Sequence, residues 1–172
     1  MAKKKRKSGQ NVKCYQCDQN GITKEHVPPK SFFLDFKREN LVTVPACPAH
    51  NNYNAKDVEY VRNVIVSADG INDVGLQLHE KAFRSFQKSP GLVKATFRGV
   101  NRVVNNGEET ISYQVDLPRM KRVMRSIAHA LFFKDYGYTF PYYWRIYCYT
   151  LKSKKYELVG MRDPECPFWN QA

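Results

Sequence analysis

The sequence contains no long hydrophobic run, and no stretch approaches the roughly 18 consecutive apolar residues that a membrane-spanning helix requires. It also lacks the apolar segment of a secretory signal peptide. These absences argue against a membrane or secreted protein. The 42% of hydrophobic residues and the 13% of aromatic residues are typical of a folded chain. We therefore expect a soluble, intracellular globular protein with no membrane partner.

Acidic residues are scarce as well, since 16 Asp and Glu accompany 28 Lys and Arg and leave a net charge of +12. The tail at residues 1–10 has five basic residues, whereas residues 11–66 are almost neutral and residues 67–172 hold most of the remaining excess. A strongly basic protein favours polyanionic partners, because each neutralised phosphate releases a counterion. The charge predicts a nucleic-acid partner that is held mainly by the C-terminal half and a disordered tail.

Cysteine is present in a small, odd number, five in all, which argues against a disulfide framework. Cys14-x-x-Cys17 and Cys47-x-x-His50 have instead the spacing of two knuckles that close on one tetrahedral ion. Three thiolates and an imidazole suit zinc and leave no open position for chemistry. We expect a structural zinc ion at these four residues.

The pattern of apolar residues predicts two short strands and then a helix between and after these knuckles. The strands are expected at Ile22–Val27 and Leu41–Val44, and the helix at residues 54–66. A helix over 74–88, ended by Pro90, a β-hairpin over 93–116 with a turn at Asn105–Gly107, and aromatic strands near 142–150 and 156–161 are expected in the C-terminal half.

The clearest helix covers residues 117–136 and should end at Gly137. Its predicted apolar stripe consists of Leu117, Met120, Met124, Ile127 and Leu131. The opposite, polar face carries Arg119, Lys121, Arg122, Arg125 and His129. We expect Arg119, Arg122 and Arg125 to contact the phosphates of a nucleic acid.

Glu25-His26 lies between the two knuckles, at the end of the first predicted strand. Consecutive residues of a strand point to opposite sides, so a carboxylate there could bind a hard cation while the imidazole activates water. The pair is common when taken alone. Its position inside the expected zinc frame makes it a candidate for catalysis.

The segments CYQC, TKEHVPP and ENLVTVPACPAHNN, in this order, resemble the HNH (ββα-metal) endonuclease family over residues 14–56. The chain is similar in particular to a zinc-ribbon-containing bacterial branch of that family, and YQVDLPRMKRVMRSIAHALFFKDYGYTFP resembles the C-terminal region of the same group. The resemblance implies an α+β fold, in which a zinc-bound, treble-clef-like ββα-metal module at residues 11–66 precedes a small α+β region at 67–172. That region would contain the hairpin and the long amphipathic helix, and would support or bind the substrate.

The resemblance also implies roles for individual residues. His26 matches the general base, Glu25 (ordinarily Asp) and Asn51 match the ligands of a catalytic Mg²⁺ or Mn²⁺, and Asn40 matches the central asparagine that positions the histidine. Lys30, Asn54 and Lys56 are candidates for substrate contact. His50 admits a second interpretation, as a ligand of the catalytic metal with only three zinc ligands remaining.

The implied activity is hydrolysis of DNA phosphodiester bonds in a bacterial or phage cytoplasm, with DNA favoured over RNA as the substrate. A partner protein that restrains the nuclease is a further hypothesis. Two alternatives stay open: a zinc-stapled module that binds nucleic acid or protein without catalysis, and an HNH nuclease that acts on RNA.

Overall fold

A computed structural model describes residues 12–52, 54–68, 71–105, 107–142 and 144–146. The chain has an α+β fold, as the sequence predicts. Its strands and α-helices are β1 (Thr23–Val27), β2 (Val42–Ala46), α1 (Pro48–Asn52), α2 (Ala55–Val66), α3 (Asp73–Lys88), α4 (Pro90–Thr96), β3 (Arg98–Asn105), β4 (Glu108–Gln114) and α5 (Leu117–Tyr136). None of the helices in these ranges is long and apolar enough to cross a membrane.

The basic tail at residues 1–10 and the strand expected at 156–161 lie outside the described residues. Most of the strand expected near 142–150 does too.

The chain begins with a tight knuckle that leads into β1. The amide of Gly21 donates a hydrogen bond to the carbonyl of Val12 at 2.7 Å, and the amide of Cys14 donates to Gln19 at 2.8 Å. A Cβ atom on Gly21 would lie only 2.7 Å from the Cβ of Pro45, so the knuckle can approach β2 this closely only because residue 21 is glycine.

Strands β1 and β2 pair antiparallel, with Glu25 opposite Val44 and His26 opposite Thr43. The predicted strands are confirmed, but β2 continues past Pro45 to Ala46 instead of ending before the proline. Proline is tolerated in an edge strand because its missing N–H removes no essential ladder bond. The carbonyl of Pro45 accepts a 2.8 Å hydrogen bond from Tyr15 and so joins the knuckle to β2.

The helical region after β2 differs from the expected single helix. The short helix α1 begins directly after Cys47, and α2 then covers almost the predicted range. On α2 the residues Tyr60, Val61 and Val64 are buried, whereas Ile65 is 41% exposed.

The predicted hairpin over 93–116 is wrong in its first part, because residues 90–96 form α4. Pro90 ends α3 as expected, but it also occupies the first turn of the next helix, where its missing N–H is not needed. The strands β3 and β4 follow and pair antiparallel. Gly107 adopts a φ of +86° in the turn between them, a conformation that favours glycine.

Helix α5 matches the predicted bounds and ends at Gly137, whose φ is +80°. Three residues of the predicted stripe, Met120, Met124 and Ile127, pack against the cores. The most buried positions are nevertheless Val123 and Ala130, each 1% exposed, and Leu131 of the predicted stripe is 41% exposed. The helix packs against two neighbours at once, so its most buried positions are the ones between them. Val123 joins the core formed with α2, and Ala130 joins the core formed by the knuckle, β1 and β2. The C-terminal region therefore completes the core of the N-terminal module.

Candidate metal centre and adjoining cavity

Four side chains from the two knuckles meet in a compact cluster. The ligand atoms of Cys14, Cys17, Cys47 and His50 all lie within 4.8 Å of one another. The sulfur atoms of Cys17 and Cys47 are 3.9 Å apart, and the Nδ1 atom of His50 lies 3.2 Å from the sulfur of Cys47. A tetrahedral zinc ion with bonds of about 2.3 Å to sulfur and about 2.0 Å to nitrogen separates its ligand atoms by roughly 3.5–3.8 Å. The cluster could hold a structural zinc ion, as the spacing predicts.

The local backbone prepares this cluster for a metal. Cys47 immediately precedes α1, and the backbone N–H of His50 donates toward its sulfur, which lowers the pKa of the Cys47 thiol despite the opposing effect of burial. Thiolates are the form that binds zinc, so the start of α1 favours the metal-binding state.

The structure also places the ring of His50. Its Nδ1 atom lies 3.5 Å from the sulfur of Cys14, and therefore faces two of the cysteines. This geometry groups His50 with the cysteines and supports the four-ligand interpretation over the three-ligand one.

A cavity of about 170 Å³ adjoins the cluster and brings together the polar residues that the sequence singled out. One wall is formed by β1 and Pro29, the second by the junction of α1 and α2, and the third by α5. Its polar lining consists of Tyr15, Glu25, His26, His50, Asn51, Asn54 and Ser126. The expected metal ligands Glu25 and Asn51 and the expected base His26 thus line one cavity, although Asn51 lies 25 positions after His26 in the sequence.

Burial perturbs the two central groups of this cavity in opposite directions. It raises the pKa of Glu25 from 4.5 to about 7. For His26, burial and then the nearby charge of Lys30 lower the pKa below its ordinary value. Near neutral pH, Glu25 therefore gains from a neighbouring cation, while His26 is kept neutral and able to accept a proton.

Two polar residues of the cavity were missed by the sequence analysis. The hydroxyl groups of Tyr15 and Ser126 are hydrogen-bonded to each other at 2.7 Å, across 111 positions of the chain. Tyr15 is fully buried, and burial raises its pKa to about 12. No motif signals this pair, because it exists only where α5 meets the knuckle.

Among the residues expected in the active site or in contact with the substrate, Lys30, Asn40 and Lys56 do not line the cavity. Asn40 is exposed in the turn before β2, with a left-handed φ of +57° that asparagine tolerates better than most residues. Lys30 and Lys56 are also exposed. Lys30 lies beyond the end of β1 and acts on His26 by its charge, whereas the backbone carbonyl of Lys56 accepts a hydrogen bond from Arg119.

Two of the three expected phosphate-binding arginines have an intramolecular partner. The Nε atoms of Arg119 and Arg122 donate to the carboxylate of Asp57 at 2.6 and 2.8 Å, and Arg119 also lies 4.2 Å over the ring of Tyr60. Burial would raise the pKa of Asp57, but the hydrogen bonds from Arg122 and Arg119 outweigh it and keep this pKa below its ordinary value. Arg119 and Arg122 thus connect α5 to the first turn of α2.

The rest of the predicted polar face of α5 is only partly solvated. Arg125 is exposed, but His129 is half-buried, and its ring stacks on Phe140 with the ring centroids 4.9 Å apart. Burial, followed by the nearby charges of Arg125 and His50, lowers the pKa of His129. His129 is therefore part of a packed surface and not of a fully solvated one.

Comparisons of the chain with protein-family models, with curated proteins and with solved structures found no match.

Proposed function

We propose that the chain is an HNH-type endonuclease that hydrolyses DNA phosphodiester bonds with the help of one divalent ion. The observation that carries this proposal is the cavity beside the Cys/His cluster, which is lined by Glu25, His26 and Asn51 together. A module that only binds nucleic acid has no need for a carboxylate, a neutral imidazole and an amide in one cavity.

The oxygen donors of Glu25 and Asn51 suit Mg²⁺ or Mn²⁺, which prefer carboxylate and carbonyl ligands. When bound there, such an ion supplies positive charge against the scissile phosphate and the leaving oxygen. His26 accepts a proton from the attacking water, and its lowered pKa keeps it unprotonated for that step. Asn40 holds the turn before β2, opposite the end of β1, and Asn54 contacts the substrate at the rim.

The clustering of Cys14, Cys17, Cys47 and His50 gives the zinc ion a separate, structural role in this proposal. His50 borders both the cluster and the cavity, so the zinc site fixes the start of α1 and with it the position of Asn51. Lys30, Lys56 and Arg125 are exposed near these elements and provide positive charge for the flanking phosphates.

The test is a cleavage assay on zinc-loaded protein, in which Mn²⁺ or Mg²⁺ is added instead of removing metal with a chelator, since a chelator would also extract the zinc. His26→Ala should lower the cleavage rate by about 10²–10⁴-fold. His79→Ala is the matched control, because His79 lies away from the cavity and donates a hydrogen bond to the carbonyl of Val66 at 2.8 Å. Equal cleavage by wild type and His26→Ala would refute the assignment of His26.

Substrate choice is tested in the same assay with DNA and RNA of one sequence. Faster cleavage of RNA would move the proposal to an RNA nuclease. Tight binding of labelled DNA without any product at millimolar Mn²⁺ would instead support the zinc-stapled binding module.

A further inference from the structure

The hydroxyl groups of Tyr15, in the knuckle, and Ser126, on α5, form a hydrogen-bonded pair at the cavity. Both residues line the cavity, and their oxygens are 2.7 Å apart. Tyr15 is 0% exposed, whereas Ser126 is only partly buried. Ser126 is therefore the member of the pair that a ligand in the cavity can reach.

Burial determines which hydroxyl donates within the pair. If Ser126 donated, the hydrogen of the fully buried Tyr15 hydroxyl would be left without an acceptor, and an unsatisfied buried donor is unfavourable. The tyrosine hydroxyl is also the more acidic group and the better donor. Tyr15 therefore donates to Ser126, and the hydrogen of Ser126 is directed to the cavity.

A serine inside a helix can give its hydrogen to the carbonyl four residues earlier. Ser85 does so, and its hydroxyl donates to the carbonyl of Lys81 at 3.3 Å. Among the described residues, the hydrogen-bond partner of the Ser126 hydroxyl is Tyr15 on another element. Tyr15 thus keeps Ser126 oriented as a donor toward the cavity.

The charge of the cavity limits which acceptor this donor can serve. No lysine or arginine is among the described residues that line it, and Glu25 supplies a carboxylate. A divalent ion bound to Glu25 would favour the entry of an anion, and the remaining oxygens of that anion would then need neutral donors from the rest of the lining. The cavity of about 170 Å³ has room for a phosphate group beside an ion.

We propose that Ser126 is a substrate-binding residue that donates a hydrogen bond to a non-bridging phosphate oxygen, and that Tyr15 is its positioning residue. This inference rests on the proposed phosphodiester chemistry for its substrate, but it can be tested by anion binding alone. It adds to the site two residues, one of which comes from the C-terminal half of the chain.

The experiment measures the binding of inorganic phosphate to zinc-loaded full-length protein by titration calorimetry, with and without Mn²⁺, and compares four variants. In Mn²⁺, Ser126→Ala should weaken phosphate binding by about 10- to 100-fold, the usual effect of one hydrogen bond to a charged group. Tyr15→Phe should weaken it by about three- to tenfold, because Ser126 keeps its hydroxyl but loses its orientation. Ser126→Thr should retain binding, and Ser85→Ala, the matched helical serine, should leave it unchanged.

Thermal unfolding of each variant accompanies the titrations and identifies any variant that is not folded at the temperature used. If Ser126→Ala is not folded, Ser126→Thr still tests the inference. Threonine keeps the hydroxyl group, so Ser126→Thr should bind phosphate as wild type does. The inference would be overturned if folded Ser126→Ala bound phosphate as tightly as wild type. It would also be overturned if wild type bound no phosphate in the presence of Mn²⁺.

Cleavage of a thymidine dinucleotide that carries one phosphorothioate, separated into its two diastereomers, gives the second readout. Sulfur is a poor hydrogen-bond acceptor, so wild type should cleave more slowly the diastereomer whose sulfur replaces the oxygen that Ser126 contacts. In Ser126→Ala this difference in rate should disappear. Unchanged ratios for both diastereomers would contradict the contact. Phosphate binding that depends on Ser126, together with no cleavage of any substrate, would instead refute the nuclease proposal and leave the anion site intact.

Discussion

Replacing Glu25 with glutamine should stabilise the protein in the absence of a divalent ion and weaken its response to one. Glu25 is partly buried and its pKa is raised from 4.5 to about 7, with burial as the cause. The ionised carboxylate is therefore less stable in the folded chain than in the unfolded chain. Glutamine has nearly the same shape and no charge, so it removes this penalty.

The sign follows from proton binding. Below pH 4.5 both states are protonated and there is no penalty; as the pH rises to about 7 the unfolded chain ionises first, and stability falls. The full penalty for such a shift would be about 3 kcal/mol, but solvent screening of this partly exposed group reduces it to roughly 1–2 kcal/mol. The loss should be complete slightly above pH 7.

Urea unfolding of zinc-loaded protein at pH 5 and pH 8 measures this effect as the difference between wild type and Glu25→Gln, so that the pH dependence of the zinc site cancels. The variant should be more stable than wild type by about 1 kcal/mol at pH 8, and by clearly less at pH 5. Glu39→Gln, at an exposed position, is the control and should change little.

Addition of Mn²⁺ should reverse the order. An ion that binds only the folded state raises the free energy of unfolding, and the increase grows with the logarithm of the ion concentration divided by its dissociation constant. Wild type should bind Mn²⁺ more tightly than Glu25→Gln and should therefore gain more stability. A pH-independent difference between the two proteins would contradict the desolvation of Glu25, and an equal gain from Mn²⁺ would refute the proposal that Glu25 binds a divalent ion.

Three further predictions concern the frame of the site. His50→Ala should reduce the bound zinc from about one ion per chain to almost none, as measured by atomic absorption, and should lower the melting temperature. Gly21→Ala should destabilise the protein by about 1–3 kcal/mol in urea unfolding, because the new Cβ would lie 2.7 Å from the Cβ of Pro45. The control is Gly91→Ala, which should be neutral or slightly stabilising because its new Cβ has nothing within 4 Å. Asp57→Asn should lower the free energy of unfolding by about 1–3 kcal/mol, since two arginines lose a carboxylate that is 15% exposed. A decrease below about 0.5 kcal/mol, the size expected for a surface ion pair, would show that these two ion pairs do not hold α5 on α2.

Several features of the fold followed from local sequence signals. The α5 bounds agree with the prediction, because a long apolar period and a glycine at its end are local properties of the chain. The α4 helix was missed, because Pro90 both ends one helix and begins the next, and the local pattern does not separate the two. The predicted stripe of α5 was right for Met120, Met124 and Ile127, but it omitted the most buried residues, Val123 and Ala130. A helix between two partners buries the side they share and not only its most hydrophobic stripe.

Residue spacing alone predicted each half of the metal cluster, because the short spacing within each knuckle brings its two ligands together by local geometry. The pairing of β1 with β2 then brings the two halves together across 30 positions. The sequence likewise singled out Glu25, His26 and Asn51. Only the tertiary structure decided that these three residues share a cavity with Ser126, that Arg119 and Arg122 pair with Asp57, and that α5 closes the core of the N-terminal module. Those contacts join residues that are about 60 to 110 positions apart, as with the 111 positions between Tyr15 and Ser126. Side-chain packing between elements creates them, and no local pattern of residues encodes it.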